Sequence, residues 1–238
     1  MTAQWIEIKT AEGVFGAYLA LPPQGRDSGP QGGKGPGIVL IQEIFGVNEH
    51  IRAVAEQYAL DGYVVLAPDL FWRNGHRMEL GYAGDDFQKG IDLMMGLDFA
   101  KVATDLAATA QALRARPEVT GKIASLGYCL GGRLSYVMAA QGAVEAAVCY
   151  YGSGIDTMLD QVPQITCPIQ FHFAALDHYI PLPVVEAVQG AFAGRAQAAV
   201  HLYPGVDHGF NCWGRAMYDQ RAAALARGRV LQFLAEAL

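Results

Sequence analysis

The sequence predicts an α/β fold with a mainly parallel central sheet flanked by helices on both faces. Short apolar runs with β-branched residues, such as Gly37 to Ile41, are typical of strands buried on both faces. Segments with helical spacing of apolar residues, such as 48–60, separate these runs. Strand and helix therefore alternate from about Gly37 onward, which indicates parallel pairing.

The remaining elements can be assigned in order along the chain. Trp5 to Thr10 and Val14 to Leu21 alternate apolar and polar residues, which predicts an antiparallel hairpin. Residues 22–36 hold glycine, proline, serine and charge, which predicts a loop. Further strands are expected at 63–67, 122–126, 146–151, 169–174 and 198–203, and further helices at 99–114, 130–140, 183–192 and 217–238.

Length and composition favour one domain over residues 1–238. Hydrophobic residues make up 52% of the 238 residues and charged residues 17%, so a full core can form. Residues 71–97 are rich in glycine, methionine and charge, and we expect a short cap-like excursion there.

Charge and terminal patterns exclude several classes of partner. The net charge is −6 and no long Lys/Arg run occurs, which argues against nucleic acid and against an anionic membrane surface as partners. The first residues lack a signal-peptide pattern, and no apolar run approaches the ~20 residues that span a bilayer. A cytoplasmic protein is expected, in which the four cysteines are free thiols. The sequence contains no C-x-x-C pair, so it does not indicate a zinc site.

The strongest functional motif is Gly127-Tyr128-Cys129-Leu130-Gly131-Gly132, between a predicted strand and a predicted helix. It has the form of the nucleophile elbow of the α/β-hydrolase fold, G-x-S-x-G, with cysteine in the serine position. The helix that begins after Cys129 directs its positive dipole end at the sulfur, which favours the thiolate. The alternative is a glycine-rich turn around a structural cysteine, and the strand–turn–helix context favours the nucleophile.

An elbow of this kind requires an acid and then a base later in the chain. Asp177 and His208 each follow a predicted strand, at the sheet edge where α/β folds place their sites. Asp177 has an alternative role as a helix N-cap. His208 is favoured as the base because it lies in a glycine-flanked loop after the last strand. The rival histidines are His172, His178 and His201.

The loop after the strand that ends at Ile41 offers further candidates. In this fold that loop supplies one oxyanion-hole amide, and the residue after the nucleophile supplies the other. This assigns the N–H groups of Ile44 and Leu130. Glu43 is either a functional carboxylate or a solvated loop residue.

The chain resembles the dienelactone hydrolase (carboxymethylenebutenolidase) family over nearly its whole length. The resemblance rests on Gln42-Glu43-Ile44-Phe45-Gly46, Ala67-Pro68-Asp69-Leu70-Phe71, the Cys129 elbow, Tyr150-Tyr151-Gly152, Asp177-His178 and His208-Gly209-Phe210. It implies a triad of Cys129, Asp177 and His208, with Glu43 contacting the resting thiol and taking part in thiolate formation. It also implies that Phe45 and Tyr151 line the pocket.

The resemblance further implies the reaction. Family members open an unsaturated γ-lactone that has a carboxylate, through an acyl-enzyme, without a metal or cofactor. The partner is then a small-molecule ester or lactone, and the chain is expected to be a monomer.

Two positions depart from the pattern of members specific for dienelactone. Those members hold the substrate carboxylate with two arginines, and the matching positions here are Cys212 and Phe87. Other cations are available as substitutes, and we retain Arg77 and Arg215 as substrate-binding candidates beside Arg73 and Lys89. A neutral ester or lactone would need no such cation, whereas an anionic substrate favours a bidentate arginine.

Two functions of different classes follow. The first is hydrolysis of an ester or enol-lactone by Cys129, His208 and Asp177. The second is a ligand-binding or redox-sensing protein in which Cys129 is an oxidisable thiol. The complete set of acid and base residues favours the hydrolase.

Overall fold

A computed structural model of the protein describes residues 2–24 and 32–238. Within those ranges it contains eight strands and six α-helices, and the strands follow the order β1-β2-β4-β3-β5-β6-β7-β8 in the sheet. The strands are β1 (Thr2–Thr10), β2 (Gly13–Leu21), β3 (Gly35–Ile41), β4 (Val64–Pro68), β5 (Val119–Tyr128), β6 (Ala146–Tyr150), β7 (Ile169–Ala174) and β8 (Ala198–Tyr203). The helices are α1 (Glu49–Leu60), α2 (Gly84–Met95), α3 (Phe99–Arg114), α4 (Leu130–Ala140), α5 (Leu182–Ala191) and α6 (Gln220–Ala237).

The predicted α/β fold with a mainly parallel sheet is confirmed. β1 pairs with β2, and β2 with β4, in antiparallel fashion, whereas β3–β4, β6–β7 and β7–β8 are parallel. The chain divides into two compact units, Met1–Ala124 and Ser125–Leu238.

The first unit contains the hairpin and the first parallel strands. β3 and β4 are almost entirely buried, as expected for apolar runs without alternation. α1 begins at the predicted place because the Asn48 side chain accepts a hydrogen bond from the Ile51 N–H at 3.3 Å and caps the helix. Of the loop predicted at 22–36, residues 25–31 lie outside the described residues.

The segment 71–97 contains turns followed by α2. Its Leu80 N–H donates to the Phe45 carbonyl at 3.0 Å, and the Phe45 ring lies 4.7 Å from the Tyr82 ring. A side chain at Gly90 of α2 would come within 2.8 Å of the Ile44 carbonyl. The excursion therefore packs on the loop after β3, and its interpretation as a cap remains a prediction.

The second unit places three parallel strands beside α4 and α6. All of β6 and β7 is buried, and so is most of α4, including Leu134 and Met138. Burying each such side chain contributes roughly 1.5–3 kcal/mol. α6 begins where the Asp219 side chain accepts from the Ala222 N–H at 2.8 Å.

A 3₁₀ helix over Ile155–Gln164 was not predicted from the sequence, and β6 ends at Tyr150, one residue before its predicted end at Tyr151. Tyr151 has a backbone φ of 35°, which no strand accommodates. Among the described residues, no helix is both long and apolar enough to cross a membrane.

Candidate active site

Cys129 lies at the junction of β5 and α4, as the elbow motif predicts. Its backbone adopts φ 54° and ψ −112°, outside the regions that L-residues ordinarily occupy. The Cys129 N–H donates to the Tyr150 carbonyl at 3.0 Å, and the Arg133 N–H donates to the Cys129 carbonyl at 3.2 Å. The strained turn is thus held by backbone bonds on both sides, and the side chain remains partly exposed.

The glycines of the motif are required by close backbone approaches. A Cβ at Gly127 would lie 2.0 Å from the Gly131 carbonyl oxygen, and one at Gly132 would lie 2.3 Å from the Tyr150 carbonyl oxygen. Neither backbone atom can move aside without opening the strand–helix junction. Leu130 is the first residue of α4, so its N–H belongs to the turn whose amides lack partners within the helix.

Asp177 follows β7 and is held by its own turn. One carboxylate oxygen, Oδ1, accepts from the N–H groups of Tyr179 at 2.9 Å and Ile180 at 3.1 Å. The other, Oδ2, lies 2.7 Å from Nδ1 of His208. The carboxylate is therefore oriented by backbone donors, and its second oxygen is left to the imidazole.

His208 follows β8 and is almost fully buried, at 2% exposure. Its Nδ1 faces Asp177, and the ring also interacts with the Cys129 side chain. Since Nδ1 is engaged by the carboxylate, the contact with sulfur falls to Nε2. The structure thus brings together the three residues predicted as nucleophile, base and orienting acid.

The electrostatics of His208 reflect this arrangement. Burial alone would lower its pKa, but the electrostatic interaction with Cys129 and the hydrogen bond that Nδ1–H donates to Asp177 raise the pKa to about 10. The Asp177 carboxylate on one side and the Cys129 sulfur on the other thus both favour the protonated imidazole. Such a ring can hold and return a proton beside the sulfur.

Several residues around His208 were not identified from the sequence. The Tyr179 ring lies edge-on to the imidazole at 5.1 Å, and the predicted pocket residue Tyr151 lies on it at 5.0 Å. Asp207 accepts from the His208 N–H at 2.6 Å and from His178 Nδ1 at 3.3 Å. The repeated Asp-His dipeptide was the available signal for the His178–Asp207 pair, whereas nothing in the pattern identified Tyr179.

The first unit holds the predicted residues of the loop after β3. Glu43, Ile44 and Phe45 are all buried, with exposures of 2%, 5% and 1%. The loop is fixed by Gln42, whose side-chain oxygen accepts from the Leu70 N–H at 3.2 Å. At Gly46, φ is 80° and a Cβ would meet the Met78 carbonyl at 1.8 Å, so the turn requires glycine.

The candidate arginines differ in their surroundings. The Arg73 guanidinium pairs with Asp105 and Glu12 of the first unit. The Arg77 guanidinium lies 4.6 Å from the Trp5 ring centroid. The Arg215 guanidinium is packed on Gly209, where an added Cβ would lie 2.6 Å from its Nη1. Arg215 is thus a buried cation that packs on the residue directly after His208.

Comparison with known proteins identifies the family. The model of the dienelactone hydrolase family matches residues 15–238. A carboxymethylenebutenolidase of Pseudomonas putida is 33% identical over 237 residues, covering 99% of this chain and 97% of the relative. A carboxymethylenebutenolidase of Pseudomonas sp. strain P51 is 34% identical over 224 residues, covering 93% and 90%.

Solved structures agree with this assignment. The crystal structure of a candidate dienelactone hydrolase from Klebsiella pneumoniae superposes with a TM-score of 0.84 at 29% identity, covering 98% of each chain. Est1E from Butyrivibrio proteoclasticus, with a TM-score of 0.68, 17% identity and 98% coverage of each chain, shares the fold. The chain belongs to the dienelactone hydrolase family and has the α/β-hydrolase fold of its members.

Proposed function

We propose that this chain, a dienelactone hydrolase-like hydrolase, opens ester or enol-lactone bonds through a Cys129-His208-Asp177 triad and an acyl-enzyme. The observation that supports the proposal is the continuous contact from sulfur to imidazole to carboxylate. It includes a 2.7 Å separation between His208 Nδ1 and Asp177 Oδ2. Family membership supports the reaction class and gives no support to the redox-sensing alternative.

The proposed reaction proceeds in two steps. In the first, His208 Nε2 holds the thiol proton while the Cys129 sulfur bonds to the acyl carbon. The tetrahedral oxyanion collapses, the bond to the alcohol or enol oxygen breaks, and His208 returns its proton to that oxygen. In the second, His208 takes a proton from water, hydroxide adds to the thioester, and the carbon–sulfur bond breaks to release the acid.

The remaining predicted roles belong to the proposal and come from the sequence and the resemblance. Glu43 would contact the resting thiol. The N–H groups of Ile44 and Leu130 would stabilise the oxyanion, on the order of 3 kcal/mol for each donor. Phe45 and Tyr151 would line the pocket of a small-molecule substrate, and the monomeric state also remains a prediction.

A burst experiment tests the nucleophile. With p-nitrophenyl acetate we expect rapid release of nitrophenol and acetylation of Cys129, detected by mass spectrometry of the intact protein. Cys129→Ala should abolish both, whereas the matched variant Cys167→Ala, which removes another partly exposed thiol, should retain both. Undiminished turnover by Cys129→Ala would overturn the proposal.

Arginine variants test whether the enzyme binds a carboxylate of its substrate. Because Arg215 is packed beside the His208 loop, we propose it as the cation for a substrate carboxylate, with Arg77 as the alternative. Arg215→Gln should then raise KM for an anionic dienelactone by about tenfold or more and leave KM for a neutral ester unchanged. An equal effect on both substrates would exclude a carboxylate-binding role for Arg215, and the same comparison with Arg77→Gln would test the alternative.

A further inference from the structure

Polar side chains of β7 and β8 form a chain on the sheet face that packs against α6. Gln170 and His172 alternate along β7, and His201 and Tyr203 alternate along β8. The strand register pairs His172 with His201, so all four side chains point to one face. An interior strand of a parallel sheet is ordinarily apolar on both faces, so this polar face requires an explanation.

The four side chains are joined by three short contacts. Tyr203 Oη lies 2.8 Å from His172 Nδ1. His172 Nε2 lies 3.0 Å from Gln170 Oε1, and Gln170 Nε2 lies 3.1 Å from His201 Nε2. At the Tyr203 end, the Arg229 guanidinium of α6 lies 5.2 Å from the centroid of the phenol ring.

The Gln170 amide sets the direction of this chain because its Oε1 can only accept and its Nε2 can only donate. His172 Nε2–H therefore donates to the Gln170 carbonyl, and His172 Nδ1 accepts from the Tyr203 hydroxyl. Gln170 in turn donates its amide N–H to His201 Nε2. Burial lowers the pKa of both His172 and His201, which agrees with neutral rings. His201 is therefore left with its proton on Nδ1, as a donor.

A cavity of about 420 Å³ opens at the end of the chain. Its wall includes Gln170, His201 and Arg229, together with the apolar side chains of Pro168, Ala199 and Phe233. None of its lining residues belongs to the loops that hold Cys129, Asp177 and His208. The cavity is thus separate from the active site.

We propose that this cavity beneath α6 is a second ligand site, which takes a small carboxylate with an apolar body. The carboxylate would accept from the Arg229 guanidinium and from His201 Nδ1–H, which both line the cavity. The apolar body would pack on Phe233 and Pro168. Glu236 also lines the cavity, seven residues after Arg229 on α6, which corresponds to about 10 Å along the helix. Its carboxylate accepts a hydrogen bond from the Gln232 side chain at 3.0 Å.

Benzoate is the probe for this site, because it joins a carboxylate to a small apolar ring. The measurement is an NMR titration that follows the imidazole resonances of His201 in the Cys129→Ala protein, where turnover is absent. Saturable shifts of His201 are expected with benzoate. Benzamide, which has the same ring without the charge, should produce none.

Variants separate specific binding from other effects. Arg229→Gln should weaken benzoate binding by about tenfold or more, whereas Arg221→Gln, an exposed arginine of the same helix, should leave it unchanged. Ala199→Leu, which fills the cavity and leaves Arg229 and Tyr203 unaltered, should also abolish binding. The proposal is overturned if His201 does not respond to benzoate, responds equally to benzamide, or responds equally in the Ala199→Leu protein.

Discussion

His178 Nδ1 lies 3.3 Å from a carboxylate oxygen of Asp207, and each of these residues is the chain neighbour of a member of the buried Asp177–His208 pair. In the two Asp-His dipeptides, the aspartate of each therefore contacts the histidine of the other. The Asp177–His208 pair is buried, and the His178–Asp207 pair is exposed. The same Asp207 oxygen also accepts from the His208 N–H at 2.6 Å. The loop after β7 and the loop after β8 are thus joined by both side-chain pairs, and Asp207 of the outer pair also holds the backbone of His208.

Removing the outer pair should affect turnover more than substrate binding. Asp207→Ala loses both hydrogen bonds, so the His208 loop gains freedom and the imidazole is less often aligned. We expect kcat for a nitrophenyl ester to fall about two- to fivefold with KM little changed, since an exposed polar pair of this kind contributes roughly 0.2–1 kcal/mol. Steady-state kinetics measure this split.

Conservative variants distinguish positioning from general damage. Asp207→Asn keeps an acceptor for the His208 N–H and should restore most of the lost kcat. His76→Ala, which removes an exposed histidine of the first unit, serves as the control and should behave as the unaltered protein. An Asp207→Ala protein with unchanged kcat would show that the outer pair does not position His208.

Asp177→Asn should disable the base while preserving the fold. The asparagine oxygen can still accept from the N–H groups of Tyr179 and Ile180, which leaves its NH₂ group facing His208. His208 Nδ1 must then accept, so the ring proton moves to Nε2 and the ring cannot take the proton of Cys129. A loss in kcat on the order of 10³-fold or more is expected.

The measurement for this variant pairs activity with thermal unfolding. Tm should change by only a few degrees, as it should in the control Asp160→Asn, which alters an exposed aspartate. Wild-type activity in Asp177→Asn would contradict the orienting role.

The charge of Cys129 should govern the titration of His208. The pKa of His208 is about 10, because Cys129 and Asp177 raise it more than burial lowers it. Cys129→Ala removes the sulfur and leaves burial and Asp177, so the pKa should fall. Cys129→Ser, which restores a neutral hydrogen-bonding group, should also give a lowered value because the charge is still absent. Imidazole NMR from acidic to strongly alkaline pH tests this, and an unchanged pKa in both variants would contradict the assignment.

Local sequence patterns were sufficient for most of the fold. α4 begins and ends at the residues predicted from its run of small and apolar side chains. The elbow could be identified because its glycines stand at positions where the backbone leaves no space for a side chain. The 3₁₀ helix over Ile155–Gln164 was missed because it contains Pro163 and has few buried residues, so no clear period appears. Contacts such as that between Tyr179 and His208 arise from the pairing of β7 with β8, which local patterns do not record.

The space around two glycines predicts opposite effects of alanine substitution on the free energy of unfolding. A Cβ at Gly127 would lie 2.0 Å from the Gly131 carbonyl oxygen, so Gly127→Ala must displace backbone at the strand–helix junction. We expect it to lower the unfolding free energy by about 3 kcal/mol and to displace Cys129, because overpacking at a rigid site costs roughly 1–3 kcal/mol. Gly190 lies in α5, and a Cβ added there would meet nothing within 4 Å, so Gly190→Ala should instead stabilise by about 0.5–1 kcal/mol. Urea unfolding measures both values, and similar results for the two variants would show that the elbow tolerates a side chain at Gly127.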